Sequence, residues 1–358
     1  MNKRWTTIAS LALCAAAATG QIVEDFRNPG PEFRGKPFWS WNGELTQQEL
    51  NRQMRVLKDM GMGGFFVHSR TGLKTEYLGE DWFRLIESSA GEAQRLGMEA
   101  WLYDEDRWPS GTAGGLVTQK PEYRQKFIGL HTFPAAAFEW PAVAVAVFAC
   151  DLSGTSFTHC ARLSEQTPPG PGSTVLVFSV EEMDKSPFYN GYTYADTLNR
   201  EATDYFIKLT HEKYRKHLGA QLGTTVKGIF TDEPHRGAAF TGFGMSNPNR
   251  LRMTPWTEAL PVRFRERFGY DLVERLPELF FYKNGEHVAP VKWHYMELLQ
   301  SMFLENWARP IHEWCQANRM VMTGHVLHED SLTAQAAMQG SLISAGHLDP
   351  GPPRGWRV

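Results

Sequence analysis

The chain has 358 residues, with 37 Lys and Arg against 40 Asp and Glu for a net charge of −3. This balance, with no basic stripe, argues against nucleic acid as a partner, and the length suits one large domain with an insertion or two domains. Twelve Trp, eleven Tyr and 22 Phe are enough to fill a core and leave some rings for stacking on sugars.

The first four residues, Met1-Asn-Lys-Arg, are basic, and Trp5 to Ala18 form an apolar stretch too short to cross a bilayer. Ala18-Thr-Gly20 supplies small residues before a cut at Gln21. Residues 1–20 therefore read as a cleaved secretory signal that sends the protein to the periplasm or outside the cell. Leu11-Ala-Leu-Cys14 resembles a lipoprotein box, but Leu13 is large where that signal wants a small residue. No later segment is apolar enough for a membrane span. After cleavage Cys150, Cys160 and Cys315 remain, without metal-ligand spacing. Cys150 and Cys160 either bridge in an oxidising compartment or stay as buried thiols, and the sequence leaves both open.

From there strand and helix patterns alternate. Pro37 to Trp41 reads as a strand, and Thr46 as the N-cap of a helix, with Glu49 closing a capping box and Leu50, Met54, Leu57 and Met60 as its apolar stripe. Gly63 to Arg70 is the second strand, Asp81 to Leu96 a helix stopped by Gly97, and Glu99 to Tyr103 the third strand. This order implies a parallel sheet. Residues 28–126 make the first part of that sheet. Residues 127–195 read as a β-rich insertion, with strands at Ala142 to Cys150 and Thr174 to Val180 around a Pro-Gly turn. Residues 196–343 return to alternation: a long helix from Leu198 to Leu218, a strand at Val226 to Thr231, a helix from Tyr295 to Ala317 and a strand at Met320 to Thr323. Residues 344–358 carry no periodicity. The expected fold is α/β, a (β/α)₈ barrel with about five units visible, and the chain reads as a fragment of such a barrel.

Three strands run straight into carboxylates: Tyr103-Asp-Glu-Asp106, Thr231-Asp-Glu-Pro234 and His325-Val-Leu-His-Glu-Asp330. A buried parallel strand needs no charge to fold, and the C-terminal ends of such strands are where active sites are assembled. Glycoside hydrolysis uses two carboxylates across the scissile bond. Glu233 is the first candidate for the general acid. Its Glu-Pro step predicts an extended exit, and Asp232 beside it is placed to raise its pKa. Glu329 is the natural partner, with Asp104 as competitor. Alternation points Asp104 and Asp106 to one side and Glu105 to the other. His68, Arg70, Asp106, Asp232, His325 and His328 are candidates for holding substrate hydroxyls, and Trp39, Trp41 and Trp108 for stacking on sugar rings or packing the rim.

Thr231-Asp-Glu-Pro234 is similar to the Asn-Glu-Pro of the large retaining glycosidase clan, in which that Glu is the acid; Asp232 stands here in place of Asn. Pro37 to Gly43, Gly63 to Gly72, Trp101 to Gly111 and Phe230 to Pro234 together resemble secreted bacterial hydrolases related to glycoside hydrolase family 106, the α-L-rhamnosidases. The resemblance covers roughly Asn28 to Gln339. It implies a carbohydrate substrate, inversion by a pair of glutamates, calcium as cofactor, and further β-sandwich domains in a much longer protein.

Two other classes stay open. A metal-dependent hydrolase would use His68, His325, His328 and Asp104 as ligands, although two His spaced by two residues on an extended segment point in different directions. A non-catalytic carbohydrate-binding protein is the other.

Overall fold

The computed structural model describes residues 22–237, 253–325 and 327. In chain order the elements used below begin with β1 (Phe38–Gly43), α1 (Gln47–Asp59), β2 (Gly64–Leu73), α2 (Glu80–Leu96) and β3 (Glu99–Tyr103). Strands β4 (Lys126–Pro134), β5 (Ala146–Ser153), β6 (Ser156–Arg162) and β7 (Thr174–Glu182) follow, then α3 (Arg200–Leu209), α4 (His211–Leu218) and β8 (Val226–Thr231). The chain continues with β9 (Met253–Trp256), α5 (Leu260–Phe268), α6 (Leu276–Phe280), β10 (Tyr282–Lys283), α7 (Pro290–Phe303), α8 (Arg309–Ala317) and β11 (Val321–Gly324).

These elements form two compact units. One contains the residues up to Tyr103 with Tyr214–Phe230 and Asn318–Val321; the other contains Asp104–Lys213, Thr231–Ala317 and the chain from Met322 onward. The first carries a five-stranded sheet in the order β1-β2-β3-β8-β11. The pairs β1/β2, β2/β3 and β3/β8 are parallel, which matches an α/β fold. Register sets which residues share a face. Ser40 lies opposite His68, so Phe38, Phe66, His68, Tyr103 and Phe230 lie on one face, while Trp39, Trp41, Phe65, Val67 and Leu102 lie on the other. A flat sheet would hold β1 and β8 about 14 Å apart, yet the Phe38 and Phe230 rings meet at 4.9 Å. The sheet therefore curls around its aromatic face.

The opposite face is core. Trp39 packs on Phe65 and Trp41 on Trp82 of α2, at 4.9 and 5.2 Å between centroids. Each fully buried apolar side chain contributes roughly 1.5–3 kcal/mol relative to exposure. Thr46 caps α1 by accepting from the Glu49 N–H. The Glu49 carboxylate bonds Arg52 and Gln53 where a closed capping box would have it reach back to Thr46. Leu50 and Met54 are buried as the stripe predicts, but Met60 is 65% exposed, because it lies past the helix end.

The second unit holds a six-stranded sheet, order β10-β6-β5-β7-β4-β9, whose pairs are antiparallel except β10/β6. The strands expected around the Pro-Gly turn pair with each other as β5 and β7. The sheet also recruits β9 and β10 from much later in the chain. Cys150 and Cys160, opposite each other on β5 and β6, form a disulfide. The long helix expected from Leu198 to Leu218 is two helices. Thr210 breaks it at ψ −77, and its hydroxyl bonds the Phe206 carbonyl at 2.8 Å and His211 Nδ1 at 2.7 Å. A Thr hydroxyl that bonds the carbonyl four residues back bends a helix. The last helical stretch starts at Pro290 and passes through a π-helical turn at Leu304–Ala308 before α8. No helix among the described residues is long and apolar enough to cross a membrane.

Candidate active site

Strand β3 ends at Tyr103, so the period-two argument for Asp104 and Asp106 no longer applies beyond it. Each of the three acids that follow has its own partners. Asp104 is fully buried and its Oδ1 accepts from Ser110 Oγ at 2.5 Å. Its Oδ2 is buried without a hydrogen-bond partner. Burial, with the charges of Glu105 and Asp232, pushes the Asp104 carboxyl well above the usual carboxylate range, against the pull of Ser110 and Thr231. Asp106 pairs with Arg107 at 3.2 Å and accepts from Asn190 at 3.1 Å. Glu105, read from alternation as pointing away, is 1% exposed and sits inside the loop that follows it. Its carboxylate accepts from the backbone N–H groups of Asp106, Gly111, Thr112, Ala113 and Gly114. Burial raises this carboxyl to about 7 even against the opposing pull of the amides.

Ser110 joins this loop to the residues after β8. Its N–H donates to the Asp232 carbonyl, and its Oγ accepts from the Asp232 N–H, both at 2.8 Å. Its own carbonyl accepts from the Tyr194 hydroxyl at 2.5 Å. Tyr194 in turn accepts from the His235 N–H at 3.3 Å and stacks on the His235 ring at 4.2 Å. Ser110, Glu105 and Tyr194 were not among the sequence candidates. The glycine-rich run Ser110-Gly-Thr-Ala-Gly-Gly115 was the signal available for the first two; Tyr194 left none.

Glu233 is half-buried. Trp108 Nε1 donates to its Oε2 at 2.5 Å, and its N–H donates to the His325 carbonyl at 3.0 Å. The Glu-Pro step predicted extended backbone, but Glu233 has φ 45. The left-handed region costs an L residue about 1–2 kcal/mol. Such residues concentrate at functional sites, where surrounding bonds hold them. Gly324 permits the approach of β11, since a Cβ there would lie 1.8 Å from the Thr231 carbonyl oxygen.

In the first unit His68 is 4% exposed and stacks on Tyr103 at 3.7 Å, with Nε2 buried and unpartnered. Burial, then the Arg70 charge, pushes it down to about 3, so the imidazole is neutral. Arg70 is exposed on the same strand. Trp39 and Trp41 are 7% and 1% exposed. A stacking platform needs an open ring face, and these lie on the sheet face opposite His68, closed by Phe65 and Trp82. Trp108 keeps part of its surface exposed, with Phe188 against it at 5.7 Å. Glu329 and His328 lie outside the described residues, whereas His325 contributes backbone bonds to Thr231 and Glu233.

Among the described residues no group of three or more His, Cys, Asp or Glu is arranged to hold a metal. Calcium takes six to eight oxygen ligands, and here the Glu105 oxygens are occupied by amides and Asp106 by Arg107 and Asn190. The described residues do not build a calcium cage.

No family model matches the chain. It is 20% identical, over 87% of its length, to a Formosa agariphila protein provisionally named a beta-glucuronidase, and spans 32% of that protein. Its fold is similar to that of a rhamnosidase from Novosphingobium sp. PP1Y, with a TM-score of 0.55, 13% identity, and 88% of this chain and 48% of the other covered. A second solved structure, an alpha-N-acetylgalactosaminidase from Bifidobacterium bifidum, aligns at a TM-score of only 0.29. The chain thus spans about a third of the curated relative and about half of the first solved structure. Its mixed α/β fold is similar to that of a glycosidase.

Proposed function

We propose that the protein hydrolyses a glycosidic bond at the C-terminal ends of these strands, on a (β/α)₈-type barrel, with Glu233 as general acid and Glu329 as the residue that activates water. The observation that carries the reading is Glu233 itself: a left-handed, half-buried carboxyl at the end of β8, aimed by the Trp108 indole. Glu233 passes its proton to the glycosidic oxygen as the C1–O bond breaks; water attacks C1 and gives its proton to Glu329.

The substrate class is a carbohydrate, and an α-L-rhamnoside is the finer proposal. The rhamnosidase-like fold supports it, and the name of the Formosa agariphila relative makes glucuronides the comparison to run beside it. Export fits the Cys150–Cys160 disulfide, because such bonds persist in oxidising compartments.

The test is Glu233→Gln, which keeps size and removes the proton. Alkyl glycosides, which need leaving-group protonation, should lose about 10²–10⁴-fold in kcat. Nitrophenyl glycosides should lose far less. Equal slowing of both would remove Glu233 from the acid role.

A further inference from the structure

We infer that Glu105 is the positioning residue of this site: its carboxylate holds the loop that presents Trp108 to Glu233. The link to catalysis rests on the reading of Glu233 as the acid; the loop geometry stands without it.

The loop runs Asp106-Arg-Trp-Pro-Ser-Gly-Thr-Ala-Gly-Gly115. Gly111, Ala113, Gly114 and Gly115 all have positive φ, at 139, 50, 68 and 90°. Turns of this kind point successive N–H groups inward and make an anion-binding nest. Such a nest commonly holds a ligand's phosphate or carboxylate. Here the anion belongs to the chain. Glu105 Oε2 accepts from the N–H groups of Gly111, Thr112 and Ala113 at 3.0, 2.7 and 2.8 Å; Oε1 accepts from those of Gly114 and Asp106 at 2.5 and 2.9 Å. Ala113 sits in the left-handed region, where its bond to Glu105 helps hold it.

Two side chains on the loop reach the residues after β8. Trp108 donates to the Glu233 carboxylate, and Ser110 is bonded to both Asp104 and Asp232. Removing the carboxylate releases five amides at once and with them the indole that aims Glu233. Glutamine at this position would turn an NH₂ donor toward N–H donors, so Glu105→Gln keeps size and opens the loop.

Three measurements on the full chain test this. In the wild type, hydrogen exchange should find the amides of Gly111–Gly114 protected although they belong to no helix or strand; exchange at the rate of free amides overturns the inference, even if Glu105→Gln fails to fold. With 5-fluorotryptophan incorporated, the Trp108 fluorine resonance, identified by its loss in Trp108→Phe, should shift or broaden in Glu105→Gln. An unchanged resonance overturns the inference. Glu105→Gln should lower kcat about 10²-fold, the scale of a misplaced reacting group, and Glu105→Gln with Glu233→Gln should be no slower than Glu233→Gln alone. Full additivity means that Glu105 acts elsewhere. If Glu233→Gln alone leaves activity intact, the reading of Glu233 as the acid falls, and the exchange and fluorine results still decide the role of Glu105.

Discussion

Two buried histidines illustrate how the environment sets protonation at single residues. His68 and His211 are both pushed down to about 3, first of all by burial. Their folded pKa lies below the unfolded value of about 6.5, so the stability they contribute is present above that value and is lost as pH falls through the window down to about 3. Glu105 and Asp196, raised to about 7 and about 6 by burial, act in the opposite sense: their contribution is full in acid and is lost as pH rises through those values. The total curve mixes the two, so the prediction is placed on a difference. His211→Leu should flatten the acid-side loss by about 1.4 kcal/mol per pH unit below 6.5, read from denaturant midpoints between pH 7 and 5. Parallel curves would show that His211 does not titrate on unfolding. The sequence marked His68 as polar at a strand end; only burial in the folded chain, with the Arg70 charge, lowered its pKa.

Strands were the most legible elements. The apolar run Val226–Thr231 matches β8 residue for residue, and Glu99–Tyr103 matches β3. What each strand's neighbours demand was less visible. Gly228 lies between β3 and β11, where an added Cβ would meet the Trp101 ring at 2.3 Å and the Val321 carbonyl oxygen at 2.4 Å. Gly228→Ala should therefore destabilise the chain by roughly 1–3 kcal/mol, the cost of overpacking a filled site, seen as a lower denaturant midpoint. An unchanged midpoint would mean that the strands separate at little cost. Helices failed at their interiors: nothing in the periodicity of Leu198–Leu218 announces that Thr210 will bond its own helix backbone.

For the whole molecule, cysteine chemistry offers a test of the proposed export. Cys315 is buried and free, Cys150 and Cys160 are bridged, and Cys14 lies in the proposed signal. If cleavage leaves Gln21 at the mature N-terminus, thiol titration of denatured, unreduced protein should find about one thiol per chain by this disulfide count. Retention of the leader would give two, and N-terminal sequencing should read Gln-Ile-Val.

By itself the sequence determined the strand-and-helix alternation, the Thr46 and Gly97 caps, and the presence of acids after three of the strands, because these depend on neighbours a few residues apart. The tertiary structure decided which partners each acid has. Trp108 reaches Glu233 across 125 positions, and Ser110 reaches Asp232 across 122. Alternation sent Glu105 away from the site, but the backbone left the extended state one residue earlier and wrapped a nest around its charge. Partners this far apart in the chain leave no local pattern, since it is the curl of the sheet and the course of the loops that bring them within hydrogen-bond distance.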